Sequence, residues 1–400
     1  MLDAPCLEHL APFRVSPLPE IHFGCQTLAR LPALIARHGR RVLLVTGRRS
    51  FIDSPRWPEL QAALRELGVA WEHVSVTGEP SPGLVDEIVA SHREAGIEVV
   101  VAIGGGSALD AGKAVAGLLR TGTSVMDHLE GVGRGLPYPG PAVPLIAVPT
   151  TAGTGSEATR NAVLSMPGPE GFKKSFRDDQ LVARVAVVDP DLLAGCPAAQ
   201  LAANGMDALT QLLESYVSTG ASPFTDALAW SGMQAFQRGF WSVMEGKPEG
   251  RPDLAYASLI SGITLAQAGL GSVHGLASPL GAFFPAPHGV VCGTLLAEAT
   301  ATNIAALRQQ ATNDGALRKY ARVGRLLAAV PEREDPEACD ALVATLRDWT
   351  RRLAMPRLRT FGMQESDVPR VVAHARGGSM ATNPLVLSDE ALTDLLASRL

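Results

Sequence analysis

The stretch that most limits the fold is "VVVAIGGGSALDAGKAVAG", residues 99–117. An apolar, mainly β-branched run suits a strand buried on both faces, the kind found in parallel sheets covered by helices. Gly104, Gly105 and Gly106 then allow a sharp turn, and helical spacing resumes at Ser107. A strand that feeds a helix in this way presents free backbone N–H groups at the positive end of the helix dipole. The turn is either a cradle for a phosphate or pyrophosphate or a bare strand–helix connection.

Similar units surround it. "RRVLLVTG" (40–47), "AWEHVSVTG" (70–78), "AVPLIAVPTTAG" (142–153) and "ARVAVVDPDL" (183–192) read as further strands, and 55–68 and 81–96 as helices. This alternation implies a mainly parallel sheet with helices on both faces. Beyond about residue 191 the pattern becomes helical throughout, over 198–218, 222–243, 253–276, 289–307, 313–329, 336–354, 365–375 and 388–399. The expectation is an α/β dinucleotide-binding domain over 1–190 and an all-α domain over 191–400, joined at "DPDLLAGCP" (189–197). A chain of 400 residues is long enough for two such cores.

Composition excludes several classes. The net charge of −5, with lysine and arginine spread along the chain, gives no electrostatic reason for a nucleic-acid partner. Five cysteines, odd in number, far apart and without a Cys-x-x-Cys pair, argue against a disulfide framework or a zinc–thiolate site. The start "MLDAPCLEHLAPFRV" lacks a signal pattern, and no apolar run approaches the roughly 18 residues of a membrane span. A reduced, cytoplasmic protein without membrane contact is expected.

Two further regions carry chemistry. "AVPTTAGTGSEAT" (147–159) sets Thr150, Thr151, Thr154, Ser156 and Thr159 just after a strand, where an open parallel sheet binds its ligand. "GMDALTQLLESYVS" (205–218) puts Asp207 and Gln211 on one helix face, and His274 and His288 follow, fourteen residues apart.

Taken in order, "GGGSALDAGKAVA", "PTTAGTGSEAT", "VDPDL", "GMDALTQLLESYVS", "VHGLASPLGAFFPAPHG" and "NPLVLSDEAL" resemble the iron-containing (group III) alcohol dehydrogenases over nearly the whole chain. The resemblance implies the dehydroquinate synthase-like fold of that family, with a nicotinamide cofactor and a divalent metal in the cleft between the domains, and a homodimer. It assigns Gly105, Gly106 and Ser107 to the pyrophosphate loop, with Asp110 on the helix that follows. Thr150, Thr151, Thr154 and Ser156 match the cofactor-contacting loop, and Lys174 falls near a lysine that approaches the cofactor. Asp207, His274 and His288 match metal ligands, and Gln211 occupies a position that the family gives to a histidine ligand. Ser278 stands where the family has a histidine implicated in proton relay, which completes the implied catalytic set of Asp207, His274, His288 and Ser278.

These departures leave three readings of the site. An amide oxygen is a neutral and weaker donor than imidazole, so the preferred reading is a weakened site for Fe2+ or Zn2+ built from Asp207, Gln211, His274 and His288. The others are a metal-independent reductase and an inactive nucleotide-binding protein. Serine at 278 passes a proton but does not buffer one near neutral pH as histidine does. Gly47, at the end of the first expected strand, leaves room for a 2′-phosphate that Arg48 and Arg49 would balance, which favours NADP(H) over NAD. Arg160, Lys173, Lys174 and Arg177 suggest an acidic aldehyde or ketone as substrate.

Overall fold

The computed structural model describes residues 11–310 and 314–400. Cys6 and most of the N-terminal stretch read for targeting lie outside the described residues, as does the first residue of the helix expected over 313–329. The N-terminal half contains β1 (Glu20–Phe23), α1 (Leu31–His38), β2 (Arg41–Gly47), α2 (Arg56–Glu66), β3 (Ala70–Val76) and α3 (Pro82–His92). It continues through β4 (Val99–Gly104), α4 (Gly106–Leu118), β5 (Leu145–Pro149), β6 (Asn161–Met166), β7 (Phe172–Arg177) and β8 (Val185–Val188).

Six strands form one parallel sheet in the order β1-β8-β5-β4-β2-β3. The alternation of strand side chains divides its core in two. Leu43, Val45, Val100, Ala102 and Leu145 pack on one face, and Val42, Leu44, Val99, Val101 and Ile103 on the other. That two-sided burial is why these strands read as continuous apolar runs. The chain steps from β2 outward to β3, then returns to lay β4 on the other side of β2. A crevice therefore opens between the C-terminal ends of β2 and β4, the place where such sheets bind ligands. A side chain at Gly104 would stand 3.1 Å from the Gly47 nitrogen, so glycine there lets the two strand ends approach closely.

Three strands were not expected. β1 is a short edge strand, paired with β8 from Glu20↔Val185 to Phe23↔Val188. β6 and β7 form an antiparallel hairpin that places Ser165 opposite Lys173 and Leu164 opposite Lys174.

After β8 and a 3-10 turn over Pro190–Gly195, the rest of the chain is helical among the described residues. It comprises α5 (Ala198–Val217), α6 (Pro223–Met244), α7 (Arg251–Ala268), α8 (Ser272–Phe283) and α9 (His288–Gln310). α10 (Asp314–Leu327), α11 (Asp335–Arg352), α12 (Val368–His374) and α13 (Asp389–Ala397) complete it. The single helix expected over 253–276 is two. Gly269 takes the left-handed φ of 75°, and the chain bends by 99° between α7 and α8. α9 is long and apolar enough to cross a bilayer by composition, and 67% of that stretch is buried inside the fold.

Candidate active site

The glycine turn and the threonine/serine loop lie side by side. Gly105 caps α4 in an extended conformation. The Thr151 side chain lies against Gly105 and that of Thr154 against Gly106, where a Cβ would be 2.8 Å from Thr154 Cγ2. Ser107 follows in the first turn of α4. A cleft of about 500 Å³ runs from Gly105, Thr150 and Thr151 along Phe51 and Arg56 to Gln200 of α5. The position of Gly47 is open, with nothing within 4 Å of where a Cβ would stand.

Beneath this surface a buried network fixes the loop. The Lys113 ammonium, 1% exposed, donates to Ser156 O at 2.8 Å, Ser156 Oγ at 3.0 Å, Thr159 Oγ1 at 2.9 Å and Asn161 O at 2.6 Å. Ser156 Oγ in turn donates to Asp110 Oδ1 at 2.6 Å. Asp110 and Ser156, expected as cofactor contacts, are thus turned inward and brace the loop from behind. Burial lowers the Lys113 pKa and raises that of Asp110, and it pushes the neighbouring Glu157 carboxyl up to about 7.

Three helices bring Asp207 of α5, His274 of α8 and His288 and Cys292 of α9 together. One donor atom from each lies within 4.8 Å of all the others. His274 Nε2 is 3.3 Å and His288 Nε2 is 3.7 Å from Asp207 Oδ1. Glu214, one further turn pair along α5, holds the arrangement from behind. Its carboxylate accepts from His274 Nδ1 at 2.6 Å and from the Val273 backbone N–H at 2.6 Å. Such an outer carboxylate fixes the ring's orientation and leaves Nε2 facing the cluster.

The electrostatics suit a cation. Burial opposes protonation of His274, but Cys292, Glu214 and Asp207 outweigh it and raise its pKa well above the ordinary value. Burial lowers His288 to about 4, with Lys173 and His274 adding to the shift. The Asp207 carboxyl, despite burial, stays below its usual pKa beside His288 and His274. Burial pushes the Cys292 thiol up to about 12. A carboxylate and two imidazoles converging in a buried site are a donor set for a divalent first-row metal.

Comparison with known proteins bears on the same residues. Residues 19–190 match the family described as iron-containing alcohol dehydrogenase, and residues 201–400 match its C-terminal part. The chain belongs to the iron-containing alcohol dehydrogenase family. Lactaldehyde reductase of Escherichia coli strain K12 is 30% identical over 360 residues, covering 88% of this chain and 90% of that protein. Alcohol dehydrogenase 4 of Saccharomyces cerevisiae is 33% identical over 339 residues, 83% of each chain. The crystal structure of a 1,3-propanediol oxidoreductase superposes with a TM-score of 0.87 at 27% identity, covering 98% of this chain and all of the other. The chain is accordingly an oxidoreductase of the alcohol dehydrogenase and aldehyde reductase type.

Within this iron-containing alcohol dehydrogenase frame, several side chains stand elsewhere than the motifs imply. Gln211 reaches the cluster, but its amide N–H donates to Asp207 Oδ1 at 3.3 Å while its oxygen accepts from Ser261 Oγ at 2.6 Å. The oxygen, its only ligating atom, is thus turned away. Ser278 Oγ donates to the Lys173 backbone carbonyl at 3.0 Å, which ties α8 to the β6–β7 hairpin. Lys174 is exposed and lies near Gly131, because strand alternation sends it to the opposite side from Lys173. Lys173 is the inward lysine, paired with Glu79, which also accepts from Ser165. Arg160 is held by Asp179 at 2.7 Å. The motifs gave no notice of Cys292 or Glu214, and Lys173, offered there only as a substrate contact, pairs with Glu79. For the first two a signal existed, since Cys292 follows His288 by four residues on one helix and Glu214 follows Asp207 by seven.

Proposed function

We propose that the chain interconverts a small aldehyde or ketone and its alcohol with NADP(H), assisted by a divalent metal held by Asp207, His274 and His288. The observation that carries this is the meeting of those three donors, with His274 and His288 nitrogens 3.3 and 3.7 Å from one carboxylate oxygen, in a cluster that Gln211 and Ser261 link to the Gly153 carbonyl of the threonine loop. A bound cation supplies Lewis-acid polarisation of the substrate oxygen, and the nicotinamide supplies or accepts the hydride. The chain positions both partners. The N-terminus of α4 and the amides of the Thr150–Thr154 loop face the cofactor phosphates. Glu214 fixes His274, and the neutral His288 keeps its Nε2 lone pair directed inward.

Three finer readings go with this. The open space at Gly47 and the exposed Arg48 and Arg49 support NADP(H). Arg160 is committed to Asp179 and Lys173 to Glu79, so a preference for acidic substrates rests on a substrate carboxylate displacing one of these pairs. The free edge of β1, with Ile21 and Phe23 each 37% exposed and Phe13 51% exposed, supports a homodimer, which sedimentation would test. The free cysteines Cys25, Cys196, Cys292 and Cys339 suit a reducing cytoplasm, which cell fractionation would test.

The reaction is tested by following oxidation of NADPH with a panel of aldehydes, with and without chelator. Loss of turnover on chelation and its return with iron or zinc are expected, whereas turnover indifferent to chelator would point to a metal-independent reductase. The same assay compares NADH with NADPH and neutral with acidic aldehydes. Better use of NADH removes the cofactor preference, and indifference to a substrate carboxylate removes the acidic one.

A further inference from the structure

The fourth position of the cluster is filled by a side chain of a different chemical kind. Cys292 is fully buried, and its Sγ lies 3.7 Å from His274 Nε2 and 3.8 Å from His288 Nε2. It follows His288 by four residues, so α9 presents both side chains on one face, a turn apart. The same sulfur lies within 4.8 Å of the Asp207 carboxylate.

These separations have the size of a tetrahedron's edges. With metal–nitrogen and metal–oxygen bonds of about 2.0–2.2 Å and a metal–sulfur bond of about 2.3 Å, the edges of a tetrahedral site come to roughly 3.3–3.6 Å. The four edges measured here are 3.3 Å and 3.7 Å from Asp207 Oδ1 to the two imidazoles and 3.7 Å and 3.8 Å from sulfur to the same two nitrogens. The remaining two pairs, His274 with His288 and Asp207 with Cys292, lie within 4.8 Å, so a contraction of up to about an ångström closes all six edges on one centre. Gln211, the other candidate for that vertex, has its oxygen held by Ser261 at 2.6 Å.

We propose that Cys292, not Gln211, is the fourth protein ligand of the metal centre, releasing its thiol proton to solvent on binding and making this an Asp–His–His–Cys site suited to zinc, to which a substrate oxygen would add as a fifth ligand. The proposal rests on the reading that a divalent metal is held here at all. Two chemical consequences follow. Thiolate sulfur favours zinc and cobalt over hard cations such as magnesium and manganese. Two anionic ligands also cancel the charge of a divalent ion, where Asp207 with neutral donors alone would leave one positive charge.

The test is cobalt(II) substitution, read by absorption spectroscopy on the full chain. One equivalent of cobalt added to the metal-free protein should give a sulfur-to-cobalt charge-transfer band in the near ultraviolet, together with the intense visible bands of a tetrahedral site. Cys292→Ser should lose the sulfur band, and Gln211→Ala should keep it. Zinc affinity of Cys292→Ser, measured by competition with a chromophoric chelator, should fall by more than the roughly 10–100-fold that loss of an outer-shell partner costs. Cobalt bound without a sulfur band, or a band that survives in Cys292→Ser, overturns the ligand assignment and leaves the metal-assisted reaction standing. No binding of zinc or cobalt overturns both. If Cys292→Ser does not fold, the wild-type spectrum decides, with cysteine-to-alanine variants at Cys6, Cys25, Cys196 and Cys339 excluding sulfur from elsewhere.

Discussion

Glu157 sits 2% exposed behind the threonine loop, beside the Lys113 ammonium that the loop carbonyls and hydroxyls surround. Burial holds its carboxyl pKa at about 7, against 4.5 for the free side chain. Between those two values the folded chain keeps a proton that the unfolded chain has released, so stability falls as pH rises through this window and stays lower above it. A shift of this size corresponds to about 3 kcal/mol. Glu157→Gln has no such proton to lose. Its melting temperature should therefore decline less than that of the wild type between pH 5 and pH 8, and a parallel decline in the two proteins would refute the assignment. The sequence showed this loop's hydroxyls as cofactor contacts but not that Ser156 and Asp110 face inward, because only packing shows which side of a loop a lysine occupies. The same holds at the metal cluster. Asp207, His274 and His288 were legible as members of one cluster, whereas the direction of the Gln211 amide was not, because nothing in the local pattern announces Ser261, fifty residues further on.

Among the elements, the threonine loop and α7 meet at a tight joint. Gly155 has a left-handed φ of 60°, and a Cβ on Gly262 of α7 would stand 2.1 Å from the Gly155 carbonyl oxygen. Backbone meets backbone there, so neither partner has a side chain that could yield. Gly262→Ala should push the loop away from α7, cost about 1–3 kcal/mol, and raise KM for the nicotinamide more than for the aldehyde. Gly83→Ala, in α3 with nothing within 4 Å, is the control, and equal effects in the two variants would argue against the joint. Element type followed burial in its legibility. β2, β4 and β5 are covered on both faces and stood out as apolar runs, whereas β1 has four residues at an edge and β7 carries two lysines. The break between α7 and α8 was hidden because apolar spacing continues through Gly269, Leu270 and Gly271. Only the positive φ at Gly269 reveals that the chain turns.

In the molecule as a whole, the glycine and threonine loops belong to the sheet and the candidate metal donors to three helices, α5, α8 and α9. α5 is distant in the chain from the neighbouring pair α8 and α9, so a metal that binds all three ties that pair to α5 across the helical half. At about 100 times its Kd such a ligand adds about 2.7 kcal/mol, or roughly 5–10 °C in Tm for a unit of this size. Calorimetry should show that gain on adding zinc to the metal-free protein and its loss with chelator, and an unmoved transition would mean that the metal does not bridge the helices. The division into a sheet half and a helical half was visible in the sequence because it follows composition over long windows. Strand order was not, since it depends on which strands meet in space. That order has a consequence during synthesis. β1 pairs only with β8, from Glu20↔Val185 onward, so the first strand made waits for one of the last made in its sheet. At ribosomal speeds of about 5–20 residues per second, this leaves Ile21 and Phe23 unpaired for roughly ten to thirty seconds. The nascent chain spends that interval with an apolar strand on offer, the period in which a holding chaperone would matter most to its yield.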